Sequence, residues 1–194
     1  MNTQLPKNKE INQVKFIILF LSIYIILSQG NLFMNSVLSP DGKYFNAFMY
    51  DNLNYIQWLR NLLIAPSDYI LHLFGYETIT SNHEILIIGG IKLNINYSCL
   101  GLGVMSFIIA FIIAFPVHVK NKWRVALKLC FLVYLLNIVR ITLLGAIFTS
   151  FPNQKLNLKY HHEIFNIIIY LVIIYILYKW VKKYLISSNK SNNG

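Results

Sequence analysis

Four side chains in this 194-residue sequence have types suited to acyl transfer: Cys99, Arg140 and the adjacent pair His161 and His162. A thiol of ordinary pKa ~8.5 is mostly protonated, and a neighbouring cation lowers that value and supplies the nucleophilic thiolate. Arginine cannot act as a base, but it can hold a thiolate and then the tetrahedral oxyanion formed from it. A histidine can protonate a leaving amine and later take a proton from the incoming nucleophile.

Each residue alone also has a plainer reading. A buried cysteine is usually an inert small hydrophobe. An arginine near a membrane surface can snorkel to the headgroups, and two neighbouring histidines can be a wet interfacial pair. No metal or other cofactor is expected. Adjacent helical residues point ~100° apart, and one turn on the histidines meet Phe165 and Asn166 rather than a second ligand. Cys130 reads as a core residue at the opposite end of the apolar stretches from Cys99, too far for a disulfide.

The elements that must carry these residues are apolar. Hydrophobic residues make up 56% of the chain and charged residues only 12%, about half the share of an ordinary soluble domain. Four apolar stretches stand out, at Val14 to Leu27 (extending towards Phe33 past Gln29, Gly30 and Asn31), Leu100 to Val117, Val125 to Phe148 and Ile164 to Val181. The last three approach the ~20 residues a helix needs to cross ~30 Å of hydrocarbon. The expected fold is an all-α multi-pass membrane protein with about four transmembrane helices. Lys7-to-Lys15, Ser28-Gln29-Gly30 and the short core between them also admit a cleaved signal peptide, although apolar residues resume at Leu32 and Phe33.

Charge sets the orientation. There are 17 Lys and Arg against 7 Asp and Glu, a net +10. The N-terminal segment, the Lys120–Lys128 connection and the C-terminal segment carry the whole of that excess, whereas Met34–Ser98 and Ser150–Glu163 are slightly acidic. The basic balance is therefore a topology signal and not a nucleic-acid footprint. Both termini are expected to be cytoplasmic, and Cys99, Arg140, His161 and His162 then fall in the outer part of the membrane. Arg140 stands fifteen residues past Val125, ~22 Å up a ~30 Å layer. A charge at such depth is a functional-site candidate by default. Asn137, three residues earlier on the same face, is a candidate to hold its guanidinium, and Cys99, Gly103, Ser106 and Ala110 form a small-residue stripe that would let another helix approach.

The chain divides into a cytoplasmic N-terminus and first span (1–33), an extracytoplasmic segment (34–98), a three-helix catalytic core (99–182) and a disordered cytoplasmic tail (183–194). Within the second part, Phe45, Phe48, Met49, Ile56, Leu59 and Leu63 recur at helical spacing with Asp51, Gln57 and Arg60 between them. This predicts one or two outer-face amphipathic helices broken at Pro66. Ile91, Leu93, Ile95 and Tyr97 then alternate with polar residues after Gly89-Gly90, which predicts a short β-hairpin running into Cys99.

The pieces Asn96-Tyr-Ser-Cys99-Leu-Gly101, Asn137-Ile-Val-Arg140-Ile and His161-His162-Glu-Ile-Phe-Asn166 resemble the exosortase/archaeosortase family, in its compact exosortase F form. The resemblance spans roughly Ile85 to Ile176 and rests on the ordered trio. It implies a sortase-like cysteine peptidase or transpeptidase of the bacterial inner membrane, with Cys99 as nucleophile, Arg140 as thiolate or oxyanion stabiliser and His162 as acid/base. His161 is the alternative to His162. The implied partners are the lipid bilayer and secreted proteins ending in a recognition motif, a transmembrane helix and a basic cluster. Asn166 stands where the family often has Gly. A different class of function, a non-enzymatic scaffold or assembly factor of an envelope or export system with Arg140 on lipid phosphate, fits the same topology. A small transporter fits less well, because the spans lack paired polar residues along a path.

Overall fold

In a computed structural model the described residues are 7–115, 122–150 and 158–192, with side chains described over 13–115, 122–150 and 165–183. The first apolar stretch is one 31-residue helix, α1 (Lys7–Val37), unbroken through Gln29-Gly30-Asn31. Asn31 is tied into the bundle: its Nδ2 donates to Ser106 Oγ at 3.2 Å and its Oδ1 accepts from Tyr55 Oη at 2.8 Å. A polar group without water must find a protein partner, so this residue fastens the helix instead of ending it.

The segment after α1 holds α2 (Ala47–Leu53) and α3 (Tyr55–Leu73). The break between them falls at Asn54, not at the expected Pro66. Asn54 caps α3, its Oδ1 accepting from Gln57 N–H at 3.0 Å. Pro66 lies inside α3, where it removes the bond to the carbonyl four residues back. That carbonyl, Leu62 O, instead accepts from Tyr134 Oη at 2.9 Å, so the helix passes through the proline without an orphaned acceptor.

The expected hairpin is present as β2 (Glu84–Ile87) and β3 (Lys92–Asn94), antiparallel with Ile85 opposite Leu93. A strand not foreseen, β1 (Thr78–Thr80), pairs with β2 and completes a three-stranded meander in the order β1-β2-β3. The two turn glycines serve different ends. Gly89 adopts φ 74°, while a Cβ on Gly90 would collide with the side chain of Thr149.

The second apolar stretch departs from a simple span. A 3-10 turn (Tyr97–Leu100) is followed by Gly101 in the left-handed region and only then by α4 (Leu102–Ala114). Thirteen residues at ~1.5 Å each reach ~20 Å, short of a full hydrocarbon layer. Cys99 consequently does not share a helix face with Gly103, Ser106 and Ala110 as the stripe implied. Three other helical segments are long and apolar enough to cross: Gln13–Val37 of α1, Lys122–Ser150 (all of α5) and Phe165–Lys183 of α6 (Leu158–Asn192). The α6 backbone is helical to Asn192, through most of the tail where disorder is expected.

Packing follows from these elements. α1 lies on α4 through edge-to-face rings, Phe16 on Phe111 at 5.7 Å and Phe20 on Phe107 at 5.4 Å. One core cluster joins α3, the sheet, the 3-10 turn and the C-terminal half of α5, with Leu71, Ile85, Ile87 and Phe148 almost fully buried. A second joins α4, α5 and α6 around Ile108, Val133 and Ile173. Cys99 belongs to the first cluster, and two residues further along the chain from Leu102, Val104 enters the second.

Candidate active site

Cys99 is delivered by the sheet. Ile95 N–H donates to His83 O at 2.7 Å, and Cys99 N–H closes the 3-10 turn on Asn96 O at 2.9 Å. Gly101 ends the turn with φ 71°. A Cβ there would also stand 2.7 Å from Asn137 Nδ2 and 2.8 Å from Val133 Cγ1. Both the backbone conformation and the close approach of α5 therefore demand glycine. The thiol is in no disulfide. Its residue is 9% exposed and borders a cavity of about 200 Å³ that Arg140 also lines, with Lys92, Ile95 and Leu144 among the other walls.

Arg140 is 2% exposed in the middle of α5. Its Nη1 donates to Asn166 Oδ1 at 3.1 Å, and its guanidinium carbon lies 5.6 Å from the centre of the Phe165 ring. Among the described residues no carboxylate lies within ion-pair distance of it. Lys92, by contrast, is paired with Glu84 at 2.6 Å. Among the described residues this buried cation is held by an amide and a ring and has no acid beside it.

The expectation that Asn137 holds Arg140 is not what the geometry gives. Asn137 is buried against Gly101, and its Nδ2 has no acceptor. The arginine reaches across to α6 instead, and Asn166, four residues after His162, is the residue it meets. The backbone positions 161 and 162 stand one turn before Phe165 and Asn166 in α6. The side chains of His161 and His162 lie outside the described residues. The structure thus brings Cys99, Arg140 and Asn166 together from three separate elements, with Asn137 beside them facing a second cavity.

Sequence reasoning missed Arg60. Its charge implies a place between the apolar residues of α3, yet it sits in the buried stripe Ile56, Arg60, Leu63, Ile64, Ser67 and Leu71 at 7% exposure. Its Nε donates to Ile95 O at 3.0 Å and its Nη1 to Gln57 Oε1 at 2.6 Å. Burial pushes its pKa below the ordinary guanidinium value, opposed by its electrostatic interaction with Cys99 and then Tyr50. Arg60 therefore braces the strand that leads to Cys99 and adds a second buried cation near the sulfur. The spacing of Arg60 four residues after Ile56 and four before Ile64 was the available signal.

Among the described residues no cluster of His, Cys, Asp or Glu could hold a metal ion. No curated protein and no solved structure matches the chain. The family model described as transmembrane exosortase matches residues 9–179, which covers the cavity, both arginines and Asn166. The chain belongs to the transmembrane exosortase family.

Proposed function

We propose that this chain is a membrane-embedded cysteine peptidase or transpeptidase that cleaves the C-terminal sorting signals of exported proteins through a thioester at Cys99. Family membership supports a sortase-like processing role in the membrane. The observation that carries the finer reading is one cavity lined by both Cys99 and a buried Arg140.

In this reading the Cys99 thiolate attacks the scissile carbonyl, and the oxyanion that forms is stabilised by the Arg140 guanidinium. Such charge stabilisation in a water-poor site is worth far more than in bulk water. His162, or His161 in its place, protonates the departing amine and leaves an acyl thioester on Cys99. Water or an amine then attacks the thioester, the histidine takes its proton, and the thiol is regenerated. Asn166 fixes the guanidinium from α6, the helix that also carries the histidines.

The charge asymmetry supports a bacterial cytoplasmic membrane location with both termini inside and the site on the outer side. The substrates would be secreted proteins ending in a motif, a transmembrane helix and a basic cluster. The catalytic core of residues 99–182 would work together with α3 and the sheet of the preceding segment, since Ile95 lines the Cys99 cavity and Arg60 holds the Ile95 carbonyl.

The test is processing of an epitope-tagged secreted protein of that signature in cells expressing the full chain. Cys99→Ala is expected to leave the precursor uncut while the enzyme still accumulates in the membrane. Normal processing by that variant would sink the proposal and favour the scaffold reading. A membrane-impermeant thiol reagent added from outside is expected to label Cys99 and spare Cys130.

A further inference from the structure

A second cavity, of about 240 Å³, borders the residues flanking Cys99 in the chain, Ser98 and Gly101. That space far exceeds the ~10–15 Å³ a single water requires. Two independent sets of hydrogen-bond donors belong to residues that line it. The first is Asn137, 3% exposed, lining the cavity with a buried Nδ2 that has no acceptor. A buried amide donor left unmet is costly.

The second is the open end of α4. Among the described residues no side chain caps this helix, and Met105 N–H donates to Gly101 O at 3.0 Å. The N–H groups of Leu102, Gly103 and Val104 precede that bond, and all three residues line the cavity. Val133 and Ile169 add apolar wall, and Ser98, Asn166 and Tyr170 add further neutral polar groups. Asn166 lines this cavity and accepts from Arg140, which lines the Cys99 cavity, so the two spaces adjoin at that hydrogen bond.

We propose that this cavity is a subsite for one residue of the substrate chain beside the bond presented to Cys99. The main-chain carbonyl of that residue accepts from Asn137 Nδ2 and the open turn of α4. The donors are neutral amides, and no charged side chain is among the described residues that line the cavity, which suits a neutral carbonyl. The inference rests on the proposed nucleophilic role of Cys99.

The test compares two alkylating probes on the full chain purified in detergent. One is acetyl-Ala-Ala chloromethyl ketone, which carries peptide carbonyls; the other is iodoacetamide, too small to need a subsite. In each case the Cys99 sulfur forms a bond to carbon, halide leaves, and the thiol proton passes to solvent. Site-resolved mass spectrometry follows the rates. Asn137→Leu is expected to slow the peptide probe at Cys99 about tenfold and leave the iodoacetamide rate unchanged.

Gly103→Ala provides a second variant that folding tolerates, because a Cβ there meets only Tyr170 Oη, at 3.9 Å. Its methyl occupies the cavity and is expected to slow the peptide probe selectively as well. Equal peptide-probe rates in wild type and both variants overturn the subsite alone. An Asn137→Leu effect of the same size on both probes shows an action on the thiol and overturns the recognition role. A wild-type Cys99 inert to both probes overturns the nucleophile reading and this inference with it.

Discussion

Arg140→Met separates a catalytic cation from a structural one, because the structure predicts opposite consequences for activity and stability. The substitution removes one hydrogen bond to Asn166 and one contact with the Phe165 ring. A hydrogen bond from a charged group is worth ~1.5–3 kcal/mol and a cation–ring contact ~0.5–2 kcal/mol. Against these losses stands the desolvation of a charge that is 2% exposed and has no carboxylate partner among the described residues, several kcal/mol by itself. The terms offset, so the thermal midpoint in detergent is expected to move by only a few degrees.

Activity is a different matter. Removing one preorganised oxyanion donor costs about 10²–10³ in rate, and methionine offers no replacement. The assay pairs precursor processing with a thermal melt and membrane abundance of the same variant. Arg140→Lys, which keeps the charge but not the planar donor geometry, is expected to recover part of the lost rate. Processing that falls only in proportion to a loss of folded protein would refute the reasoning, as would a Met variant retaining more than a tenth of wild-type rate.

Three other outcomes follow from single contacts. Gly101→Ala forces a left-handed conformation on alanine and drives its methyl into Asn137 and Val133; a loss of about 2–4 kcal/mol is expected in denaturant melts. Tyr134→Phe strips the donor from Leu62 O, which Pro66 has already freed, costing about 1–3 kcal/mol. That loss should shrink in a Pro66→Ala background, and a double-mutant cycle without coupling would contradict the pairing. Burial first, then the positive charge of Arg60, hold the His83 pKa below its ordinary value of 6.5. The folded state therefore binds fewer protons there than the unfolded chain, and its stabilising contribution is present above pH 6.5 and lost as pH falls through the folded value. An NMR titration of His83 should move upward in Arg60→Gln.

The packing of α3 illustrates where local pattern misleads. Pro66 was a reasonable place to end a helix, since proline lacks the donor a helix interior needs. What rescues the helix is a tyrosine 68 positions away on α5, and no window of sequence around Pro66 contains it. Arg60 was misplaced for a related reason. A charged side chain suggests a solvated face, whereas here Ile95 O and Gln57 satisfy the guanidinium inside the stripe.

The order of residues alone determined the membrane character and the spacing of the apolar runs, because hydrocarbon thickness acts on each segment independently of the others. It also singled out Cys99 and Arg140, since an unexplained charge in an apolar run needs no partner to be conspicuous. Tertiary structure alone decided which amide holds Arg140, Asn166 and not Asn137, and that Arg60 belongs beside Cys99. It also decided that the second apolar run begins with a turn and a left-handed glycine. Those outcomes depend on close approach between elements distant in the chain, and the Gly101–Asn137 contact beside the second cavity exists only once α5 has packed against the turn.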